Sequence, residues 1–126
     1  MDIHQYWKAV LTQDAAAMRK YITEDALIEW PCTNECFSRE MFIDVNCRYP
    51  GNWTGAVESV YPTENGFVCI ACVRAKNGAE SHHAIGIYRL RNDRISHLTE
   101  YWAEDGPAPA WRQPLTALTK KEERNK

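Results

Sequence analysis

Glu100 is the residue of this chain whose surroundings best suit proton transfer. It lies between Leu98 and Trp102 within residues 94–103, a run rich in β-branched and aromatic residues and bounded by turn-forming residues on both sides. Such a run predicts a β-strand. Alternation along a strand places Ser96, Leu98, Glu100 and Trp102 on one face and Ile95, His97, Thr99 and Tyr101 on the other. A carboxylate among apolar neighbours resists ionisation, so we expect a raised pKa and a proton donor or acceptor near neutral pH.

Tyr6 is the second candidate for chemistry. It belongs to an apolar stripe with helical spacing near the start of the chain, and its phenol is a hydrogen-bond donor that suits developing negative charge. Each candidate also has a structural alternative that stays open at this point. Tyr6 could instead be a core residue whose hydroxyl has a hydrogen-bond partner. Glu100 could instead be a structural carboxylate that is paired with Arg74 or hydrogen-bonded to Tyr6.

The elements that must position these groups follow from hydrophobic periodicity and turn signals. Asp2 and Ser38 are predicted to cap helices. The predicted helices and strands are helices at 3–11, 15–21 and 39–49, a short strand at 26–30 that ends at Pro31, and strands at 53–61, 67–75, 82–90 and 94–103. Asn77 and Gly78 after the strand at 67–75 predict a tight hairpin turn. Three consecutive strands joined by short turns in this part of the chain indicate an antiparallel meander. The order predicts an α+β fold, cone-shaped, in which N-terminal helices pack on a curved antiparallel sheet and leave a cavity.

Several large side chains are predicted to line that cavity. Asn46 lies on the apolar stripe of the third helix and needs a partner, and His82 shares a strand face with Gly86 and Tyr88. The predicted pocket residues are Trp30, Phe42, Asn46, Tyr49, Trp53, His82, Leu98 and Trp102. The opposite sheet face carries His97 in the last strand and apolar Ile85, Ile87 and Tyr101, so a second copy of the chain is expected to cover it in a homodimer.

Composition excludes several classes of function. With 126 residues and a formal net charge of −2, the chain predicts one domain over 1–118 and a charged, disordered tail at 119–126. No block of like charge precedes the tail, so neither nucleic acid nor an acidic membrane is expected as a partner. An apolar run of membrane-spanning length and a basic leader are both lacking, which favours the cytoplasm.

The histidines and cysteines do not predict a metal or cofactor. No HxH, HxxxH or HExxH spacing occurs, and five cysteines are an odd number. Reduced thiols are therefore expected. Cys69 and Cys72 lie within one predicted strand and point to opposite faces, so they are interpreted as small buried hydrophobes. Cys32 and Cys36 flank a predicted loop.

Residues 21–31 lie between the second helix and the end of the first strand, and residues 94–102 form the last strand. With these two segments, the order of elements resembles that of the nuclear transport factor 2-like superfamily and, within it, of the SnoaL-like and ketosteroid-isomerase-like branches. The resemblance covers roughly residues 3–112. It implies a scaffold that hosts isomerases, cyclases, dehydratases, epoxide hydrolases and plain binding proteins, so it predicts fold better than reaction.

A residue-by-residue comparison with the two family patterns agrees better with a cyclase than with an isomerase. In the isomerase pattern Tyr6 matches the oxyanion donor, Trp30 replaces the aspartate base, and Gly86 falls where a second acidic donor stands. This disfavours steroid isomerisation. In the SnoaL-type cyclase pattern Glu100 matches the acid of the last strand, and Leu98 replaces its histidine neighbour.

Two functions remain open from the sequence. The first is a cofactor-independent acid/base enzyme of isomerase, cyclase or hydrolase type, in which Glu100 moves a proton on a small hydrophobic carbonyl or polyketide-like compound and Tyr6 donates a hydrogen bond. The second is a non-catalytic module that binds a small apolar or aromatic ligand or dimerises.

Overall fold

A computed structural model describes residues 1–115 of the chain. The predicted tail at 119–126 and the last three residues of the predicted domain lie outside the described part. The α-helices of residues 1–115 are α1 (Ile3–Leu11), α2 (Ala15–Tyr21) and α3 (Arg39–Arg48). The strands of this part are β1 (Ile22–Trp30), β2 (Glu35–Ser38), β3 (Trp53–Pro62), β4 (Gly66–Ala75), β5 (Ser81–Arg91) and β6 (Arg94–Glu104).

The helices begin where polar side chains satisfy free backbone N–H groups. Asp2 accepts hydrogen bonds from the amides of His4 and Gln5, and Ser38 accepts one from Met41. Both predicted caps are confirmed. Each removes an unsatisfied donor at a helix start, which fixes the first residue of α1 and of α3.

The six strands form one sheet in the order β2-β1-β6-β5-β4-β3. The predicted meander from β3 to β6 is confirmed, as is the α+β class. Three features differ from the sequence prediction. β1 begins at Ile22 rather than Ala26, and it pairs with β6 in parallel. The third is β2, a short strand that the sequence did not predict and that pairs antiparallel with β1. These pairings join distant segments, so local composition gives little sign of them.

A bulge in β6 corrects the predicted face of Ile95. His97 stands opposite Arg89 and Ile95 stands opposite Leu90, so Ser96 is an extra residue with no counterpart in the register of β5, although its hydroxyl donates to the Arg89 carbonyl. An extra residue reverses the side-chain alternation beyond it. Ile95 is therefore fully buried in the core, rather than on the outer face with His97.

The hydrophobic core lies between the helices and the inner face of the sheet. Met18, Ile22, Ile28 and Leu98 are fully buried there. The outer face leaves large apolar side chains in contact with solvent, namely Leu27, Tyr61, Ile87 and Tyr101. Within residues 1–115, no helix has both the length and the apolar content that a membrane span requires.

The two cysteines of β4 face opposite sides of the sheet, as predicted. Cys69 is 1% exposed in the core, and Cys72 is partly exposed on the other face. Burial raises the pKa of the Cys69 thiol to about 11. A thiol that stays protonated is a poor nucleophile, so Cys69 acts as a small core residue.

Candidate functional site

A cavity of about 370 Å³ opens between the helices and the inner face of the sheet. Its wall combines aromatic rings with a few polar groups. The lining residues are Trp7, Val10, Leu11, Gln13, Trp30, Cys32, Thr33, Glu35, Asn46, Tyr49, Trp53, Val73, His82, Glu100 and Trp102. An apolar cavity of this size with few polar groups is typical of a small-molecule site.

Glu100 is the buried charge-bearing group of this wall, with only 2% of its surface exposed. Its Oε1 accepts hydrogen bonds from Trp30 Nε1 at 3.1 Å and from Trp102 Nε1 at 3.0 Å. Its Oε2 is buried and has no hydrogen-bond partner among the described residues. The two indoles therefore hold Oε1, and Oε2 keeps an unused hydrogen-bonding capacity.

Burial raises the pKa of Glu100 to about 7, because the apolar surroundings penalise the charged form. The hydrogen bonds from Trp30 and Trp102 act in the opposite direction, since they favour the carboxylate. Desolvation is the larger effect. Both protonation states of Glu100 are consequently present near neutral pH, which is the property a general acid or base needs.

The pairing of β1 with β6 explains how Trp30 reaches Glu100. The strands run in parallel with Glu29 opposite Thr99, so the last residue of β1 lies beside Glu100 in β6. The sequence pattern treated Trp30 as the loss of a base, because an indole cannot accept a proton. In the structure Trp30 is instead a hydrogen-bond donor to the acid.

The neighbouring strand β5 provides small residues opposite the site. Gly86 pairs with Glu100, and Ala84 pairs with Trp102. A Cβ atom on Gly86 would lie 2.6 Å from Cε1 of Tyr88 and 3.1 Å from Cδ1 of Leu98. No side chain fits there, so the position that the isomerase pattern assigns to a second acidic donor is filled by the Tyr88 ring.

The rim of the cavity is fixed by the end of α3. Gln13, which has a φ of 55°, donates from Nε2 to the carbonyl oxygens of Asn46 at 3.0 Å and Tyr49 at 2.6 Å. The Asn46 amide donates to the Phe42 carbonyl at 2.8 Å. The two Gln13 bonds reach carbonyl groups at the end of α3 and join this helix to the turn after α1. The bond within α3 gives the Asn46 side chain the partner that the sequence predicted it needs.

Most of the predicted pocket residues meet at this cavity. The residues that line it are Trp30, Asn46, Tyr49, Trp53, His82 and Trp102, together with Glu100. Phe42 and Leu98 do not line it. Phe42 packs in the core against Phe37 and Trp30, and Leu98 lies opposite Tyr88, where large side chains fill the space beyond Glu100.

Tyr6 lies in the core, 1% exposed, and does not line the cavity. Its ring packs edge-to-face against Trp7, Tyr21 and Tyr88. Burial, followed by the nearby Glu100 charge, raises the pKa of the phenol well above its ordinary range. Tyr6 therefore stays protonated, and its donation to a ligand stays a prediction.

Arg74, the ion-pair partner considered for Glu100 in the sequence analysis, does not contact it. Arg74 is exposed on β4, and the hydrogen bonds that reach Glu100 within residues 1–115 come from Trp30 and Trp102. The carboxyl group thus has neutral donors rather than a cation. That arrangement leaves its charge uncompensated, which is consistent with the raised pKa.

Other lining residues were missed by sequence reasoning. Trp7 and Gln13 are the most informative of them. Trp7 has the helical spacing of a core residue, and a turn glutamine gives no local signal of a contact with α3.

In the described part of the chain, histidine, cysteine and acidic side chains form no group of three that could hold a metal ion.

No protein-family model and no curated protein sequence matches the chain. Solved structures do match, and they define the fold as that of nuclear transport factor 2-like and ketosteroid-isomerase-like proteins. The predicted resemblance is thereby confirmed for the fold.

Three of these structures are particularly informative. A candidate ketosteroid isomerase from Kribbella flavida shares 20% identity at a TM-score of 0.77, covering 94% of this chain and 87% of the other. A protein of unknown function from Burkholderia xenovorans shares 20% identity at a TM-score of 0.74, covering 90% and 89%. IdmH from Streptomyces antibioticus, a candidate polyketide cyclase, shares 18% identity at a TM-score of 0.65, covering 80% and 87%. At these identities the likeness concerns the fold alone.

Proposed function

We propose that the cavity binds a small, largely apolar organic molecule and that Glu100 transfers a proton to or from it without a bound cofactor. The proposal depends on one observation, the environment of the Glu100 carboxyl group. Glu100 is a buried carboxyl on the cavity wall, with a pKa of about 7 and one oxygen without a partner. A reaction of isomerase, cyclase or hydrolase type fits this chemistry, and similar folds include a candidate isomerase and a candidate cyclase.

The indole donors give the proton transfer its direction. When Glu100 is ionised, Trp30 and Trp102 hold Oε1, and Oε2 is the oxygen that accepts a proton from the ligand. When Glu100 is protonated, the same oxygen can donate. The two N–H groups are in place before the reaction, so the negative charge that appears or disappears on the carboxyl group needs little reorganisation.

A non-catalytic binding module of the same fold is the second candidate. Two observations favour it. Tyr6 does not line the cavity, so the wall lacks the predicted phenol donor. Trp30 occupies the place of the aspartate base in the isomerase pattern and donates to Glu100 instead.

A proton-transfer probe separates the two candidates. The compound 5-nitrobenzisoxazole loses a carbon-bound proton to a base while its N–O bond breaks, and the product is a coloured cyanonitrophenolate. If Glu100 is a base in the cavity, the protein should accelerate this reaction with a rate that rises through about pH 7. Glu100→Gln should abolish the rise, whereas the exposed control Glu24→Gln should keep it. Equal rates for wild type and Glu100→Gln at every pH would favour the binding module.

We also propose a homodimer that covers the outer sheet face. On this face Tyr61 of β3 is 56% exposed, and Ile87 of β5 and Tyr101 of β6 are each 40% exposed. The partly buried Val68 of β4 lies between Tyr61 and Ile87 in the register, and the partly buried Ile85 pairs with Tyr101. Large exposed apolar patches are uncommon on monomeric proteins. The cytoplasmic location stays a prediction.

A further inference from the structure

We propose that the ligand of the cavity is an alkylammonium ion, a small organic molecule whose cationic nitrogen lies among the aromatic rings and next to Glu100. The inference rests on the proposed function in one respect, namely that this cavity is the ligand site. It adds the chemical class of the ligand. Three independent features of the wall support it: the aromatic rings, the sign of the charges, and the free oxygen of Glu100.

Aromatic rings form a third of the lining side chains. Five of the lining side chains are aromatic, namely Trp7, Trp30, Tyr49, Trp53 and Trp102. Neighbouring rings meet edge to face: Trp102 makes angles of 71° with Trp7 and 78° with Trp30, and Tyr49 makes an angle of 72° with Trp53. Rings at such angles present both faces and edges around one space. The face of an indole attracts a cation by about 0.5 to 2 kcal/mol.

The charges on the wall are acidic. Glu100 lies within the cavity and Glu35 lies at its exposed rim, while no lysine or arginine of residues 1–115 lines it. A carboxylate or phosphate ligand would meet like charge and find no cationic partner. The wall therefore selects against anions and favours a positive group.

The free oxygen of Glu100 distinguishes a cation from a purely apolar ligand. A hydrocarbon in the cavity would leave Oε2 buried and unpartnered, which is costly. An ammonium group would supply both a hydrogen-bond donor and a compensating charge. Since Oε1 already has two indole donors, Oε2 is the atom that such a group would contact.

The groups around Glu100 decide how binding should depend on pH. Tyr6 on α1, Tyr88 on β5 and Cys69 on β4 interact with its charge, and burial raises the pKa of each, so all three stay neutral through the neutral range. His82 also lines the cavity, beside Trp102. A His82→Gln variant therefore has to be measured beside Glu100→Gln.

The test compares two compounds of almost identical shape. Protonated 2-(dimethylamino)ethanol and neutral 3-methylbutan-1-ol differ in having N–H⁺ or C–H at the branch point. Binding is followed by tryptophan fluorescence, since four indoles line the cavity. At about pH 8.5, with Glu100 ionised, we expect the cation to bind at least about tenfold more tightly than the alcohol. At about pH 5.5, with Glu100 protonated, the ratio should fall below about threefold.

The variants identify the group responsible. Glu100→Gln should lose the preference at both pH values, whereas His82→Gln and the rim variant Glu35→Gln should keep it at alkaline pH. If the alcohol binds as tightly as the cation at about pH 8.5, the inference is wrong, although the apolar ligand site of the proposed function stands. If the preference survives in Glu100→Gln, the inference is wrong as well. If neither compound binds, both the inference and the ligand site fail.

Discussion

Replacing Glu100 with glutamine should make the protein more stable in alkaline solution. Burial raises the pKa of Glu100 from 4.5 to about 7, so between these values the folded protein holds a proton that the unfolded chain releases. The free energy of unfolding of the wild type therefore falls as the pH rises through this range, and the loss is complete above it. Glutamine still offers an acceptor to the two indoles and carries no charge, so the variant escapes the loss.

The size of the effect follows from the two pKa values. Each pH unit between them corresponds to about 1.4 kcal/mol, so the interval from 4.5 to about 7 gives about 3 kcal/mol. Below about pH 4 the glutamate is protonated in both states, and the two proteins should differ little. Urea unfolding followed by far-UV circular dichroism, at one fixed protein concentration from about pH 4 to about pH 9, measures the difference directly.

An exposed glutamate provides the matched control. Glu24 lies on β1 in contact with solvent, so Glu24→Gln should change the free energy of unfolding by less than about 0.5 kcal/mol at any pH. If Glu100→Gln shows no alkaline gain, or destabilises the protein at about pH 9, then desolvation does not dominate at Glu100 and the reasoning is refuted.

Three further predictions concern the surroundings of the site and the outer face. Trp102→Phe removes a hydrogen bond that favours the carboxylate, so the pKa of Glu100 should rise further, as followed by carbon NMR of labelled glutamate; an unchanged or lower pKa would contradict the assignment. Gly86→Ala places a Cβ 2.6 Å from a fully buried tyrosine ring and should cost about 1 to 3 kcal/mol of unfolding free energy, whereas a neutral effect would mean that the ring can move. Ile87→Glu should dissociate the proposed dimer in sedimentation velocity, whereas Met41→Glu on α3, at an even more exposed apolar side chain outside that face, should not.

Local signals predicted most of the fold. The spacing of apolar residues gave α2 its observed bounds, and the caps at Asp2 and Ser38 depend on contacts within three residues. Asn77 and Gly78 predicted the hairpin between β4 and β5, and Gly78 has a positive φ of 77°. The connection is the five-residue loop 76–80 rather than a tight two-residue turn.

The missing parts of the fold depend on long-range pairing. β2 is a four-residue strand that exists because β1 lies beside it, and β1 joins β6 in parallel across most of the chain. The bulge at Ser96 is likewise a feature of the pairing with β5. A single sequence contains no local signal of which strands pair or in which register, so the inward position of Ile95 could not be predicted.

The candidate site was predictable where it depended on one strand. The positions of Leu98 and Trp102 on either side of Glu100 were enough to predict a raised pKa. The donor role of Trp30 was not predictable, because it depends on the parallel pairing of β1 with β6. In the sequence analysis this residue was also considered only as a possible base. Trp7 was similarly hidden, since one helical stripe contributes both to the core and to the cavity wall.

The protonation of Glu100 is the property on which the proposed proton transfer and the proposed cation preference both depend. Carbon NMR of the glutamate side-chain carboxyls, with the Glu100 signal assigned by its loss in Glu100→Gln, follows this property through a pH titration. The structure predicts a midpoint of about 7 for that signal. A midpoint near 4.5, the ordinary value, would show a carboxyl group in contact with water and would contradict the account.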